Sequence, residues 1–215
     1  MIIRFSSVVP HPLSDHKFHD ESIWNSNFEL DSTLNSNILL NASSGKGKTT
    51  FSNILVGLRK DFSGCIEFDG KDINSISIHE WVEIRTKKIS TVFQDLQLFP
   101  LLSAFENIQL KNEITHTFSE DQILNFLDNV GLIEQKDQKV STLSMGQKQR
   151  VAIIRALCQP FEWLILDEPF SHLDIENSKI CFDLIQSRCQ KLKAGFILTA
   201  LDPDESISFN SYLKL

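Results

Sequence analysis

The chain has 215 residues, 41% hydrophobic and 23% charged, which fits one globular domain with a sizeable core and is too short for two full domains with a linker. Twenty-one Lys plus Arg against 28 Asp plus Glu leave a net charge of -7, which gives no support to a nonspecific grip on nucleic acid or anionic lipid. No apolar run nears the roughly 18 residues of a membrane span, and the opening segment lacks the features of a signal peptide, so a cytoplasmic location is expected.

Residues 2–9 and 23–30 carry strand-like apolar positions, with a polar loop at 10–21 between them. Residues 38–40 are a short apolar strand that runs through a small-residue loop into a helix-like stretch at 48–56, with Gly57 placed to stop it. A strand at 65–68, closed by the turn Asp69-Gly70, precedes a helix at 77–85 and a strand at 89–93. From 98 to 157 the patterns are helical, and Ser103 with Glu106 and Ser119 with Gln122 read as capping boxes. A buried-strand run at 163–166, an amphipathic helix at 175–191 and a second buried strand at 196–199 follow. Short apolar strands alternating with helices predict an α/β fold with a mostly parallel sheet covered on both faces.

Cys65, Cys158, Cys181 and Cys189 show no metal or disulfide spacing and read as reduced core thiols. The six histidines form no metal set, and His11, His16 and His19 lie in the polar N-terminal loop. Only eight glycines occur, about half the usual ~7% share, so each one is informative.

The segment Ala42-Ser43-Ser44-Gly45-Lys46-Gly47-Lys48-Thr49 lies close to the phosphate-loop pattern GxxxxGK[ST], with its first glycine missing. Such a loop turns backbone amides inward at a helix N-terminus, where the macrodipole also favours anions. Lys48 supplies a point charge for the terminal phosphates of a nucleotide and the Thr49 hydroxyl a magnesium (Mg2+) ligand, with Ser43, Ser44, Gly45, Lys46, Gly47 and Thr50 completing the nucleotide cradle. Further on, Trp163-Leu164-Ile165-Leu166-Asp167-Glu168 places two carboxylates at the C-terminal end of a buried strand, where ligands bind in open parallel sheets. Asp167 is suited to hold magnesium, and Glu168 to polarise an attacking water.

With these two elements in place the chain resembles the ATP-binding cassette (ABC) family, the ATPase subunits of membrane transporters. Thr91-Val92-Phe93-Gln94 looks like the family's Q-loop, which implies that Gln94 contacts magnesium and water. Leu143-Ser144-Met145-Gly146-Gln147 looks like the signature LSGGQ, and Ser171-His172-Leu173-Asp174 resembles the D-loop. The resemblance implies a P-loop NTPase core (residues 1–96 and 158–215) with N-terminal antiparallel strands and a helical subdomain at about 97–157. It also implies two cassettes, identical or different, that sandwich ATP so that Ser144, Met145, Gly146 and Gln147 reach the partner chain's nucleotide. A transmembrane permease subunit is then the membrane partner, the cassette is peripheral on the inner face of the membrane, and no nucleic acid is expected. Phe99-Pro100-Leu101-Leu102-Ser103-Ala104-Phe105 either lines the groove for that permease or fills the insert's own core. The resemblance further implies an aromatic residue upstream of Lys48 that stacks on adenine, for which Phe18, His19 and Trp24 are the candidates, with Phe18 favoured.

The chain departs from the family's pattern at three positions. Ala42 and Met145 replace glycines in the loops that hold ATP from opposite sides, and Leu201 stands where a switch histidine usually contacts the γ-phosphate. Leucine donates no hydrogen bond, so slow hydrolysis is expected, the alternative being an ATP-gated binding module with negligible turnover.

Overall fold

The computed structural model describes residues 1–16, 18–19, 22–34, 37–41, 45–200 and 209–215; Ala42, Ser43, Ser44 and Leu201 therefore lie outside the described residues. Two sheets carry the fold. Strand β1 (Ile2–Pro10) pairs antiparallel with β2 (Asn27–Asp31) and, on its other side, with β4 (Phe62–Phe68), which turns through Asp69-Gly70 into the short β5 (Lys71–Asp72). The second sheet is parallel throughout: β6 (Ile89–Val92), β7 (Trp163–Asp167), β8 (Gly195–Ala200), β3 (Asn37–Asn41) and β9 (Ser211–Lys214), side by side in that order.

The fully buried strands have two cores because successive side chains point to opposite faces. Trp163 and Ile165 face one cluster, with Ile38, Leu40 and Phe51, while Leu164 and Leu166 face the other, with Leu39, Phe196 and Leu198. Helix α1 (Lys48–Leu55) and the antiparallel sheet cover the first face. The helices α3 (Ala104–Thr115), α4 (Glu120–Asn129), α5 (Met145–Leu157) and α6 (Ile175–Leu192) contribute to the second cluster. Helix α2 (Ile78–Glu83) starts from the Ser77–Glu80 capping box and runs on into a π-helical turn at Ile84–Lys88. Both capping boxes expected in the helical stretch are present, Ser103 with Glu106 and Ser119 with Gln122. No helix among the described residues is long and apolar enough to cross a membrane.

The strand expected at 23–30 begins only at Asn27. Ile23 and Trp24 are buried in a turn instead: Ile23 N–H donates to the Lys214 carbonyl, and Asn25 takes a left-handed φ of 63°. Their apolar character reflects packing in the first core. Strand β4 starts three residues before the expected strand, across a register shift between Ser6 and Val9. Strand β9 was not expected, since it is an edge strand with mostly exposed residues and leaves no alternating pattern. Cys158, Cys181 and Cys189 are buried free thiols, pushed up to about 12 by desolvation, and Cys65 is half-buried.

Candidate functional site

The C-terminal ends of β3 and β7 deliver the two motifs to one edge of the parallel sheet. Gly47 is the N-cap of α1 at φ 103°, a conformation L side chains rarely adopt, and a Cβ there would also stand 2.7 Å from Leu13 Cδ1. The cap carries no side-chain acceptor, so the first amides of α1 remain available to an anion. From below, the indole N–H of Trp24 donates to the Lys46 carbonyl at 3.3 Å. That contact makes Trp24 a support for the loop. Half-buried Phe18 lies with His16, His19 and Lys46 around a small hollow beside the same loop, and the Thr50 hydroxyl accepts a long contact from Arg59 at 3.5 Å.

Lys48 is buried, with Nζ 3.1 Å from Glu168 Oε1. The Thr49 hydroxyl donates to Gln94 Oε1 at 3.1 Å. Asp167 is 1% exposed; its Oδ1 accepts from the Thr199 hydroxyl at 2.7 Å, while its Oδ2 is buried with no partner among the described residues. Burial pushes the Asp167 carboxyl above the usual carboxylate range, and the Thr199 hydrogen bond acts against it. Glu168 has a left-handed φ of 51°, and its N–H donates to both the carbonyl and the hydroxyl of Thr199 at 3.2 Å. Thr199, register partner of Asp167 on β8, thus fixes both acids.

A buried carboxylate oxygen without a partner is costly unless a cation or donor meets it. Hard oxygen donors from Asp167, Thr49 and Gln94 suit magnesium, which favours carboxylate and hydroxyl ligands together with water.

A second cluster forms around the first turn of α5. The Ser144 hydroxyl accepts from Gln147 N–H at 3.2 Å, and Gln147 Oε1 accepts from Ser144 N–H at 2.8 Å, a capping box that gives Gln147 a role within its own chain. Met145 is 41% exposed. Gly146 also has an intrachain reason: a Cβ there would stand 2.8 Å from the His172 carbonyl oxygen. Buried Gln149 then clamps the same loop, donating to the Ser171 hydroxyl at 2.9 Å and accepting from His172 N–H at 3.0 Å. Asp174 caps α6, and the Asn177 backbone N–H holds its carboxyl below the usual range. Among the described residues, Ser144, Met145, Gly146 and Gln147 make no hydrogen bond to Thr49, Gln94 or Asp167.

Past Gln94 the backbone takes two consecutive left-handed residues without glycine, Leu96 at φ 60° and Gln97 at φ 48°. Arg155, on the last turn of α5, donates Nη2 to the Leu96 carbonyl and Nη1 to the Gln97 carbonyl, each at 2.7 Å. Burial pushes this guanidinium down to about 10. Beside it runs a groove of about 450 Å3, lined in part by Phe99, Leu110, Lys111 and Ile114. Phe99 and Leu101 are exposed, whereas Phe105 packs against the helical core.

Gln149, Arg155 and Thr199 were missed as site-ordering residues. Gln149 did leave a signal, a polar residue one helical turn before the buried Ala152 and Ile153, on the same face of α5.

Residues 26–171 match the family described as ABC transporter. The chain is 38% identical over 162 residues to the lipoprotein-releasing system ATP-binding protein LolD of Buchnera aphidicola subsp. Schizaphis graminum, covering 74% of this chain and 71% of that protein. It is 34% identical to the spermidine/putrescine import ATP-binding protein PotA of Mesoplasma florum, over 80% of this chain but only 49% of that one. The chain therefore spans about half the length of this second relative. Among solved structures it resembles the dimeric bacterial ABC transporter cassette MJ0796, at TM-score 0.79 and 27% identity over 99% of this chain and 94% of that one. A post-hydrolysis dimer of MJ0796 bound to ADP and Pi matches at TM-score 0.76 and 27% identity, over 93% and 88% of the two chains.

Proposed function

Since this chain belongs to the ABC transporter family, we propose that it is the ATP-hydrolysing subunit of a membrane transporter, with residues 97–157 as its helical subdomain. The observation that carries this reading is the convergence of Lys48, Glu168 and the unpartnered Asp167 oxygen beside the Thr49–Gln94 bond. The amides of α1 and Lys48 bind the terminal phosphates. Lys48 now neutralises Glu168; phosphate gives that ammonium a stronger partner and frees the carboxylate. Thr49, Gln94 and Asp167 hold magnesium. The chemistry magnesium supplies when bound is neutralisation of charge on the phosphate oxygens. Glu168 accepts a proton from water as the water oxygen bonds to the γ-phosphorus and the bond to the β–γ bridging oxygen breaks, leaving ADP and phosphate.

Ser144, Met145, Gly146 and Gln147, with Asp174 nearby, form the surface offered to a second cassette, identical or different, and Phe18 is the adenine contact. The exposed apolar side chains of Phe99, Leu110 and Ile114 receive a transmembrane permease subunit, which places the chain on the cytoplasmic face of the membrane. Leu201 in place of a histidine donor makes turnover slow, and this same residue favours the second reading, an ATP-gated module with negligible hydrolysis. Assay of the chain with its membrane partner separates the two readings. Hydrolysis that Glu168→Gln abolishes, with ATP binding kept, is the expected result; no turnover dependent on Glu168 would refute the transporter-motor reading.

A further inference from the structure

Leu96 and Gln97 form a backbone turn that side-chain sterics disfavour, because successive left-handed residues bring each Cβ against the following carbonyl. Such a turn persists only where its surroundings over-determine it. Three side-chain contacts do so here, beside the backbone bonds from Leu96 N–H to the Phe93 carbonyl and from Gln97 N–H to the Asp95 carbonyl. The Leu96 side chain is buried in the second core, the Gln97 amide donates to the Asp95 carboxylate, and the fork of Arg155 binds both turn carbonyls. Of the hydrogen bonds on the turn among the described residues, only those from Arg155 come from α5, 58 residues away along the chain. Arg155 has no carboxylate within ion-pair distance among the described residues, so its charge is directed onto two backbone dipoles. Two residues before the turn lies Gln94, whose side-chain oxygen rests on Thr49.

We propose that Arg155 is a positioning residue: by holding the Leu96–Gln97 turn it keeps Gln94 against Thr49, and so sets how well the site takes magnesium with its nucleotide. This rests on the ATPase reading above. Arg155 also lines the groove beside Phe99 and Lys111, so anything docked there meets the same guanidinium that binds the turn carbonyls.

The test measures affinity for a fluorescent ATP analogue, with magnesium and with EDTA, in the whole chain and three variants. Arg155→Met should keep the EDTA affinity within about twofold, because Lys48 and the α1 amides are untouched, and lose about tenfold of the affinity gained from magnesium. Arg155→Lys should fall between, since an ammonium lacks the planar fork for two carbonyls. Adding Gln97→Gly to Arg155→Met should recover part of the loss, because glycine adopts the left-handed region without steric cost. Damage to the fold alone would lower both affinities equally and would not be rescued by glycine. That result, or an unchanged magnesium gain in Arg155→Met, overturns the role of Arg155 while leaving the ATPase reading intact. A wild-type chain that binds no nucleotide in either condition overturns both.

Discussion

Gly146→Ala distinguishes a glycine kept for its own chain from one kept for a partner's nucleotide. The added methyl would stand 2.8 Å from the His172 carbonyl oxygen and 3.4 Å from Leu173 Cδ2. The leucine can give way, but the carbonyl has to retreat by about half an ångström to regain van der Waals distance. That retreat pulls on the Gln149 bonds to Ser171 and His172, now 2.9 and 3.0 Å, towards lengths at which they are largely lost. Overpacking costs about 1–3 kcal/mol, and two neutral hydrogen bonds are worth about 1 kcal/mol each. These costs are alternatives, since moving the loop relieves one by incurring the other. Alanine returns up to about 1 kcal/mol of helix propensity. The net expectation is a destabilisation of about 1–2 kcal/mol, seen in urea unfolding as a midpoint lower by about 0.5–1 M at a slope near 2 kcal/mol/M. A variant as stable as wild type but slower in hydrolysis would refute the intrachain explanation and assign Gly146 to the nucleotide across the dimer.

Leu201→His should raise the ATPase rate by restoring a donor to the γ-phosphate, by up to the ~10² that one such contact supplies; an unchanged rate would show that another step limits. Ile114→Asp, on the exposed side of α3, should weaken copurification with a membrane partner while the chain alone keeps its hydrolysis rate. The Lys71 hydrogen bond and the Ser77 capping contacts hold the Glu80 carboxyl down to about 2, from an ordinary value of 4.5. Their stabilisation is therefore fully present above pH 4.5 and lost as pH falls towards 2, so the urea midpoints of wild type and Glu80→Gln should converge over that window.

Much of the framework was legible because it depends on neighbours within one turn or one strand. Ser103, Ser119 and their partners three residues on announce helix starts by local chemistry, and the runs 38–40 and 163–166 are too apolar and too short to be anything but buried strands between loops. The motif residues were legible as residue types, and Lys48, Thr49, Gln94, Asp167 and Glu168 do meet in one place. What escaped depends on contacts distant in sequence. Ile23 and Trp24 look like strand residues because burial, which turns also provide, was the only signal they emit. Strand β9 exists because β3 offers it an edge, and the tasks of Gln149 and Arg155 appear only when α5 is laid against loops some 20 to 60 residues away. Gly146 likewise sits where the chain crosses itself closely, a contact with His172 that the motif alone does not announce.

Trp24 has an optical consequence. Of the three tryptophans, Trp81 stacks edge-on to Phe68, and Trp163 donates its indole N–H to the Met1 carbonyl inside the core. Trp24 alone is hydrogen-bonded to the phosphate loop among the described residues, so its indole reports directly on the carbonyl of Lys46 and the backbone of Gly47. With Trp81 and Trp163 replaced by phenylalanine, the emission of the remaining ring becomes a label-free gauge of when that loop moves, already installed beneath the nucleotide cradle.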